Sequence, residues 1–138
     1  MGYWGSAPWD NDYSADWFSG VMEKTEIGTA LEDSLNKPVD DFTRDEIRGA
    51  VMLFILLGRT FVYDGDMYEE HLNLCIEKNR ELMKHWSEGG WDGDPEIAKW
   101  LVNELAILER RRNNIGVAPS NRPPIPQELK DWWANWID

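Results

Sequence analysis

The sequence predicts an all-α fold, a single-domain irregular bundle of about five to six helices spanning residues 1–138. Three observations carry this. Apolar residues recur at three- and four-residue spacing through most of the chain. Capping signals stand in front of the apolar runs. Alternating apolar runs, which would mark paired strands, are absent. A chain of 138 residues is the usual size of one domain. Folding at this size removes roughly two thirds of the unfolded surface from water, enough for stability without a metal or disulfide.

The helices follow in order. Asp10 or Asn11 caps a first helix running to about Lys24, with Ala15, Phe18 and Met22 inward and Trp17 and Val21 beside them. A short helix fits Glu26 to Asn36, with Ile27, Ala30, Leu31 and Leu35 inward. It stops at Lys37-Pro38, because a residue before proline avoids the α region. Thr43-Arg44-Asp45-Glu46 reads as a capping box. The helix after it places Ile47, Ala50, Val51, Phe54, Leu57 and Phe61 on one side, with Leu53 and Leu56 round the back. This apolar helix, near 44–62, is expected at the centre of the domain.

Tyr63-Asp64-Gly65-Asp66 and Trp91-Asp92-Gly93-Asp94 repeat one phrase, an aromatic, Asp-Gly and a capping Asp. The first introduces a helix from about Met67 to Trp86, with Tyr68, Leu72, Cys75, Ile76, Met83 and Trp86 on one face. The second introduces a helix with Pro95 at its first position, where a missing N–H costs nothing. Ile97, Trp100, Leu101, Leu105 and Leu108 point inward, Arg110 to Arg112 suit the negative C-terminal end, and Gly116 terminates it. Residues 117–126 hold four of the seven prolines and form an extended connector. A tryptophan-rich C-terminal helix then carries Leu129, Trp132, Trp133 and Trp136 at i, i+3, i+4 and i+7.

Net charge is −12, and the first 45 residues contribute −7 of it from ten acids and three bases. Such a surface repels phosphate backbones, which argues against direct nucleic-acid binding and for a basic protein partner. The longest apolar run, Ala50 to Leu57, falls far short of the ~20 residues of a membrane span. The lone Cys75, with no signal-like segment at the front, points to the cytoplasm.

Catalytic patterns are sparse. His71 and Cys75 lie one helical turn apart, but Leu72, Leu74 and Ile76 surround the thiol and such settings raise its pKa. His85 follows Glu81 by one turn and reads as a solvated pair. The Glu-x-x-His ligands of di-iron bundles, the EF-hand loop, the P-loop and the nucleophile elbow are all missing. No cofactor or resident metal is expected. The carboxylates Asp10, Asp12 and Asp16 act first as cap and anchor, and second as a cluster able to hold Ca²⁺ or Mg²⁺.

Gly2-x-Trp4-Gly5-x-x-x-Trp9-Asp10-Asn11-Asp12-x-x-Ala15-Asp16-Trp17 resembles the opening signature of a family of small acidic bacterial proteins of unknown function. Its members begin Gly-x-Trp-Gly and continue with an aromatic and Asn-Asp-x-Ala-x-Asp-aromatic, with Phe common where Trp9 stands here. The resemblance implies a bacterial or phage source and a helical domain, and supplies no activity. Within it, Trp4 and Trp9 are expected to fold back over the bundle while Asn11 and Asp12 fix the turn that starts the first helix.

The expectation for function is a non-catalytic acidic binding protein of the immunity or inhibitor kind, which masks a basic toxin or effector. Trp132, Trp133, Trp136 and Asp131 form its expected partner surface, since tryptophan is enriched at interface hot spots. The alternative is a small metal-dependent hydrolase centred on Asp10, Asp12 and Asp16.

Overall fold

The computed structural model describes Pro8, residues 11–59 and residues 62–134. Trp4, Trp9, Asp10, Phe61, Trp136 and the last two residues, Ile137 and Asp138, lie outside the described residues. Among the described residues the fold is an all-α bundle. Its helices are α1 (Asp12–Thr25), α2 (Ile27–Leu35), α3 (Arg44–Leu57), α4 (Tyr68–Ser87), α5 (Pro95–Asn113) and α6 (Gln127–Ala134). Two 3₁₀ turns, Gly90–Gly93 and Pro119–Asn121, join the later helices.

The core lies where α2, α3, α4 and α5 meet, with Leu35, Ile47, Phe54, Ile55, Leu72, Leu82, Leu101 and Leu108 fully buried. α4 and α5 form an antiparallel hairpin and pack more extensively than any other pair. Leu72, Cys75, Asn79, Leu82 and Trp86 on α4 mirror Ile97, Leu101, Glu104, Leu108 and Arg111 on α5. Both rows follow the alternating three- and four-residue spacing of a helical seam. α3 runs parallel to α5. The Trp91 Nε1–H before α5 donates to Asp45 Oδ1 at the start of α3 (3.1 Å). At the far end, Arg111 Nη1 donates to the Phe54 carbonyl (3.5 Å). α1 rests on α2, and α6 on α5.

The caps show which local chemistry won. Asn11 starts α1, its Oδ1 accepting from Ser14 N at 2.9 Å. Asp94 starts α5 by accepting from Glu96 N at 2.9 Å. The capping box expected at Thr43 sits one turn earlier. Thr43 N donates to Asp40 Oδ1 (2.9 Å) and Asp40 N donates back to Thr43 Oγ1 (3.1 Å). Thr43 is already helical, and Glu46 turns instead to Lys37 and Ser34. Asp66 does not cap α4 either. Asp64 Oδ1 takes the Asp66 amide in a local turn, and α4 begins without a side-chain cap.

Three inward assignments change. Ala30 faces solvent, while Gly28 is buried in its stead. A Cβ on Gly28 would come within 2.8 Å of Met67 Sδ, so a larger residue there would have to displace that flexible side chain. Leu53 and Leu56, on the back of α3, are exposed, because among the described residues no helix covers that side. α3 also ends at Leu57, short of residue 62, where Gly58 takes a non-helical conformation and the chain turns back to bury Val62 and Tyr63.

Candidate functional site

The N-terminal signature residues that are described lie on the outer side of the bundle. Asn11 acts as the cap, while Asp12 and Asp16 are exposed on α1 beside Tyr13 (80% exposed) and Trp17 (64% exposed). Trp17 packs edge-on against Phe18, at 5.2 Å between ring centroids. Among the described residues no three His, Cys, Asp or Glu side chains are grouped to hold a metal ion. Asp10, the third member of the expected cluster, is outside the described residues.

At the other end of α1 is a feature that sequence reasoning missed. Glu23, Glu26 and Asp64 line a cavity of about 220 Å³ together with Met22, Gly28, Thr29 and Met67. No lysine or arginine lines it. Glu26 sits between α1 and α2 with φ of 53°, a left-handed conformation that turns the chain sharply. These acids come from two segments far apart in sequence, so no local spacing could reveal them.

Beneath this cavity lies a buried relay. His71 is fully buried, its Nδ1 2.6 Å from the Tyr63 hydroxyl and its Nε2 3.3 Å from Glu32 Oε2. The consistent assignment has the phenol donating to Nδ1 and Nε2–H donating to the carboxylate. Both ring nitrogens are therefore occupied, and the His71–Cys75 pairing is not formed. Burial raises the Tyr63 pKa far above its ordinary value, so the phenol stays a donor. Burial raises the Cys75 thiol likewise, and the sulfur has no exposure. The arrangement stiffens α2 against α4 and offers no accessible nucleophile.

His85 departs from its expected pairing with Glu81. Its Nε2 lies 3.3 Å from Arg44 Nη1 and 3.3 Å from Asp41 Oδ1, while Glu81 pairs with Lys78 at 2.8 Å. The His85 ring meets Trp91 edge-on (5.4 Å), and the Arg44 and Arg48 guanidiniums sit 4.8 and 5.6 Å from the Trp91 ring centre. Trp91 and Asp92 both hold left-handed backbone angles, φ 53° and 55°. A Cβ on Gly90 would fall 2.5 Å from His85 Cδ2, so only glycine lets the ring lie there. Two side-chain-bearing residues in this region cost about 1–2 kcal/mol each. The cation–π contacts and the indole bond to Asp45 offset that cost.

Besides Arg111 at its end, the α4–α5 seam contains two polar residues. Asn79 is fully buried with neither amide atom hydrogen-bonded, and Glu104 is 2% exposed. Burial raises the Glu104 pKa to about 7, and Arg48 on α3 opposes the shift. A signal for both existed in the sequence: they stand in mid-seam, between positions held by apolar residues.

The C-terminal helix divides its aromatics. Trp132 is buried at 9% exposure, stacked edge-on with Trp100 at 5.2 Å, while Trp133 is half-buried at the rim. Trp132 thus belongs to the core and not to the expected partner surface. Asp131 is exposed and accepts from Gln127 Nε2 at 2.8 Å. Trp136 falls outside the described residues. A wider open groove of about 610 Å³ runs along α4 past Arg80, Glu81, Lys84 and Arg112, with charges of both signs.

No helix among the described residues is long and apolar enough to cross a membrane. No protein-family model matches the chain, and neither a curated protein nor a solved structure is similar to it.

Proposed function

We propose that this chain is a non-catalytic acidic binding protein that masks a basic partner, in the manner of an immunity or inhibitor protein. The observation that carries the reading is the cavity between α1, α2 and the loop before α4. It presents Glu23, Glu26 and Asp64 with no compensating base, over a floor that includes two methionines. Methionine adapts to varied apolar shapes, and unpaired carboxylates attract the head of an incoming lysine or arginine. The buried, protonated Cys75 and the saturated His71 support a role without nucleophilic chemistry.

The test is calorimetric titration of the full chain with an arginine-rich peptide carrying apolar residues. Saturable 1:1 binding is expected, weakened at least about tenfold by the double change Glu23→Lys/Glu26→Lys with thermal unfolding unchanged. A peptide that fails to bind at low ionic strength, or binds the charge-swapped variant equally well, overturns the reading.

A further inference from the structure

The charge on this molecule is segregated. Residues 47–63 and 110–127 contain no Asp or Glu, yet hold Arg48, Arg59, Arg110, Arg111, Arg112 and Arg122. The fold brings these two stretches together, because α3 and α5 are parallel and end side by side where Arg111 reaches the Phe54 carbonyl. Arg110 donates to the carbonyls of Pro123 and Pro124, and Arg122 Nε to Val117 O (3.0 Å), which ties the connector to the same end.

The bland account is that these arginines neutralise the negative ends of two helices. It is quantitatively insufficient. Two helix C-termini present roughly half a negative charge each, about one in total. Arg110, Arg111, Arg112 and Arg122 bring four positive charges, and none is in an ion pair among the described residues. Arg59 lies near enough to Arg111 to join burial in drawing its pKa down to about 10. The exposed aliphatic side chains Leu56, Ile115 and Ile125 sit in the same acid-free stretches.

The outer face of α1 has the complementary character. Asp12 and Asp16 stand exposed beside Tyr13 and Trp17, two of the most exposed large side chains in the protein. Carboxylates pair with guanidinium forks, and indole and phenol rings stack on them. We propose that the arginine-bearing end of one copy, centred on Arg122 and Ile125, docks the α1 face of a second copy, centred on Asp16 and Trp17. The contact is head-to-tail, so it generates chains or rings and not a two-fold dimer. The overall charge of −12 opposes association only weakly at physiological salt, where screening acts over about 8 Å. None of Asp16, Trp17 and Arg122 lines the acidic cavity, so this inference and the basic-partner reading fail separately.

Sedimentation velocity on the full chain tests it. At about 0.05 M salt the average mass should climb with concentration beyond twice 16.1 kDa, and at about 0.5 M salt it should return towards the monomer. Asp16→Lys and Arg122→Glu should each sediment as monomers with unchanged helical circular dichroism. Mixed 1:1, they should regain assembly, since the native faces they retain are complementary and so are the two reversed charges. Trp17→Ser, which leaves the charges alone, should weaken wild-type assembly at least about fivefold through lost stacking. A wild type that stays monomeric at low salt, either charge variant that still assembles, or a mixture that stays monomeric overturns the proposal.

Discussion

Raising the pH from 5 to 8 should weaken this fold by about 2.5 kcal/mol through Glu104 alone. The carboxyl ionises near 4.5 when solvated and at about 7 in the folded protein, because burial penalises its charge more than Arg48 favours it. Below 4.5 both states hold the proton and there is no penalty. Between the two values the folded chain keeps a proton that the unfolded chain releases, so stability falls as pH rises. Above about 7 both are ionised and the loss is complete. A gap of about 2.5 at about 1.4 kcal/mol per pH unit gives about 3.5 kcal/mol in full, of which roughly 2.5 falls between pH 5 and 8. In melting temperature it corresponds to about 10 °C for a domain of this size. Asp40 and Glu46 act in the opposite sense and in another window. The Phe42 amide lowers the Asp40 pKa and the Lys37 bond lowers that of Glu46, so their contributions vanish as pH falls below the ordinary carboxylate range. The assay is urea unfolding by circular dichroism at half-unit pH steps for wild type and Glu104→Gln. The amide keeps the shape and removes the charge, so its profile should be flat where the wild type declines. General repulsion among surface acids is common to both proteins and cancels in the comparison. Equal declines in the two proteins, or a wild type whose stability rises from pH 5 to 8, would refute the reasoning.

Other outcomes follow from the same structure. Asn11→Ala should lose about 0.5–2 kcal/mol with the Ser14 amide left uncapped. Asp12→Ala should cost much less, because Asp12 stands in the first turn beyond the cap. Gly90→Ala should destabilise by more than the about 1 kcal/mol typical of a point change, since its methyl meets His85; the change in unfolding midpoint checks this. Acrylamide should quench Trp17 strongly and Trp132 weakly in single Trp→Phe variants, and equal quenching would contradict their burial. Calorimetry with Mg²⁺, Ca²⁺ and Mn²⁺ should show no micromolar site. Heat lost on Asp16→Ala would instead revive the metal-dependent alternative.

Helices were legible because burial on one side writes a period into the sequence, and α2, α4 and α5 follow that period within a residue or two. Caps were legible in part. Asn11, one of two candidates before α1, and Asp94 cap as expected, whereas Asp40 takes the Thr43 amide three residues earlier and Asp64 takes the Asp66 amide two residues earlier. Ala30 misled because its helix is too short to fix a stripe against a glycine. The left-handed turn at Trp91 and Asp92 was invisible, since Trp disfavours that conformation, Asp adopts it only occasionally, and tertiary contacts hold both there. The acidic cavity and the arginine-bearing end each join segments distant in sequence. The acid-free stretches could be seen, but their meeting depends on α3 running parallel to α5.

The strained turn between α4 and α5 also sets an order of assembly. Adjacent helices joined by a short loop make local contacts, and such hairpins close early. This one cannot settle alone. Its Trp91–Asp92 corner lies uphill in backbone energy until Arg44, Arg48 and Asp45 of α3 close over the indole. Docking of α3 therefore locks the corner, and a peptide containing only residues 68–113 should fray from its loop outward. The last event to stabilise the hairpin is then the arrival of a helix that precedes it in the chain.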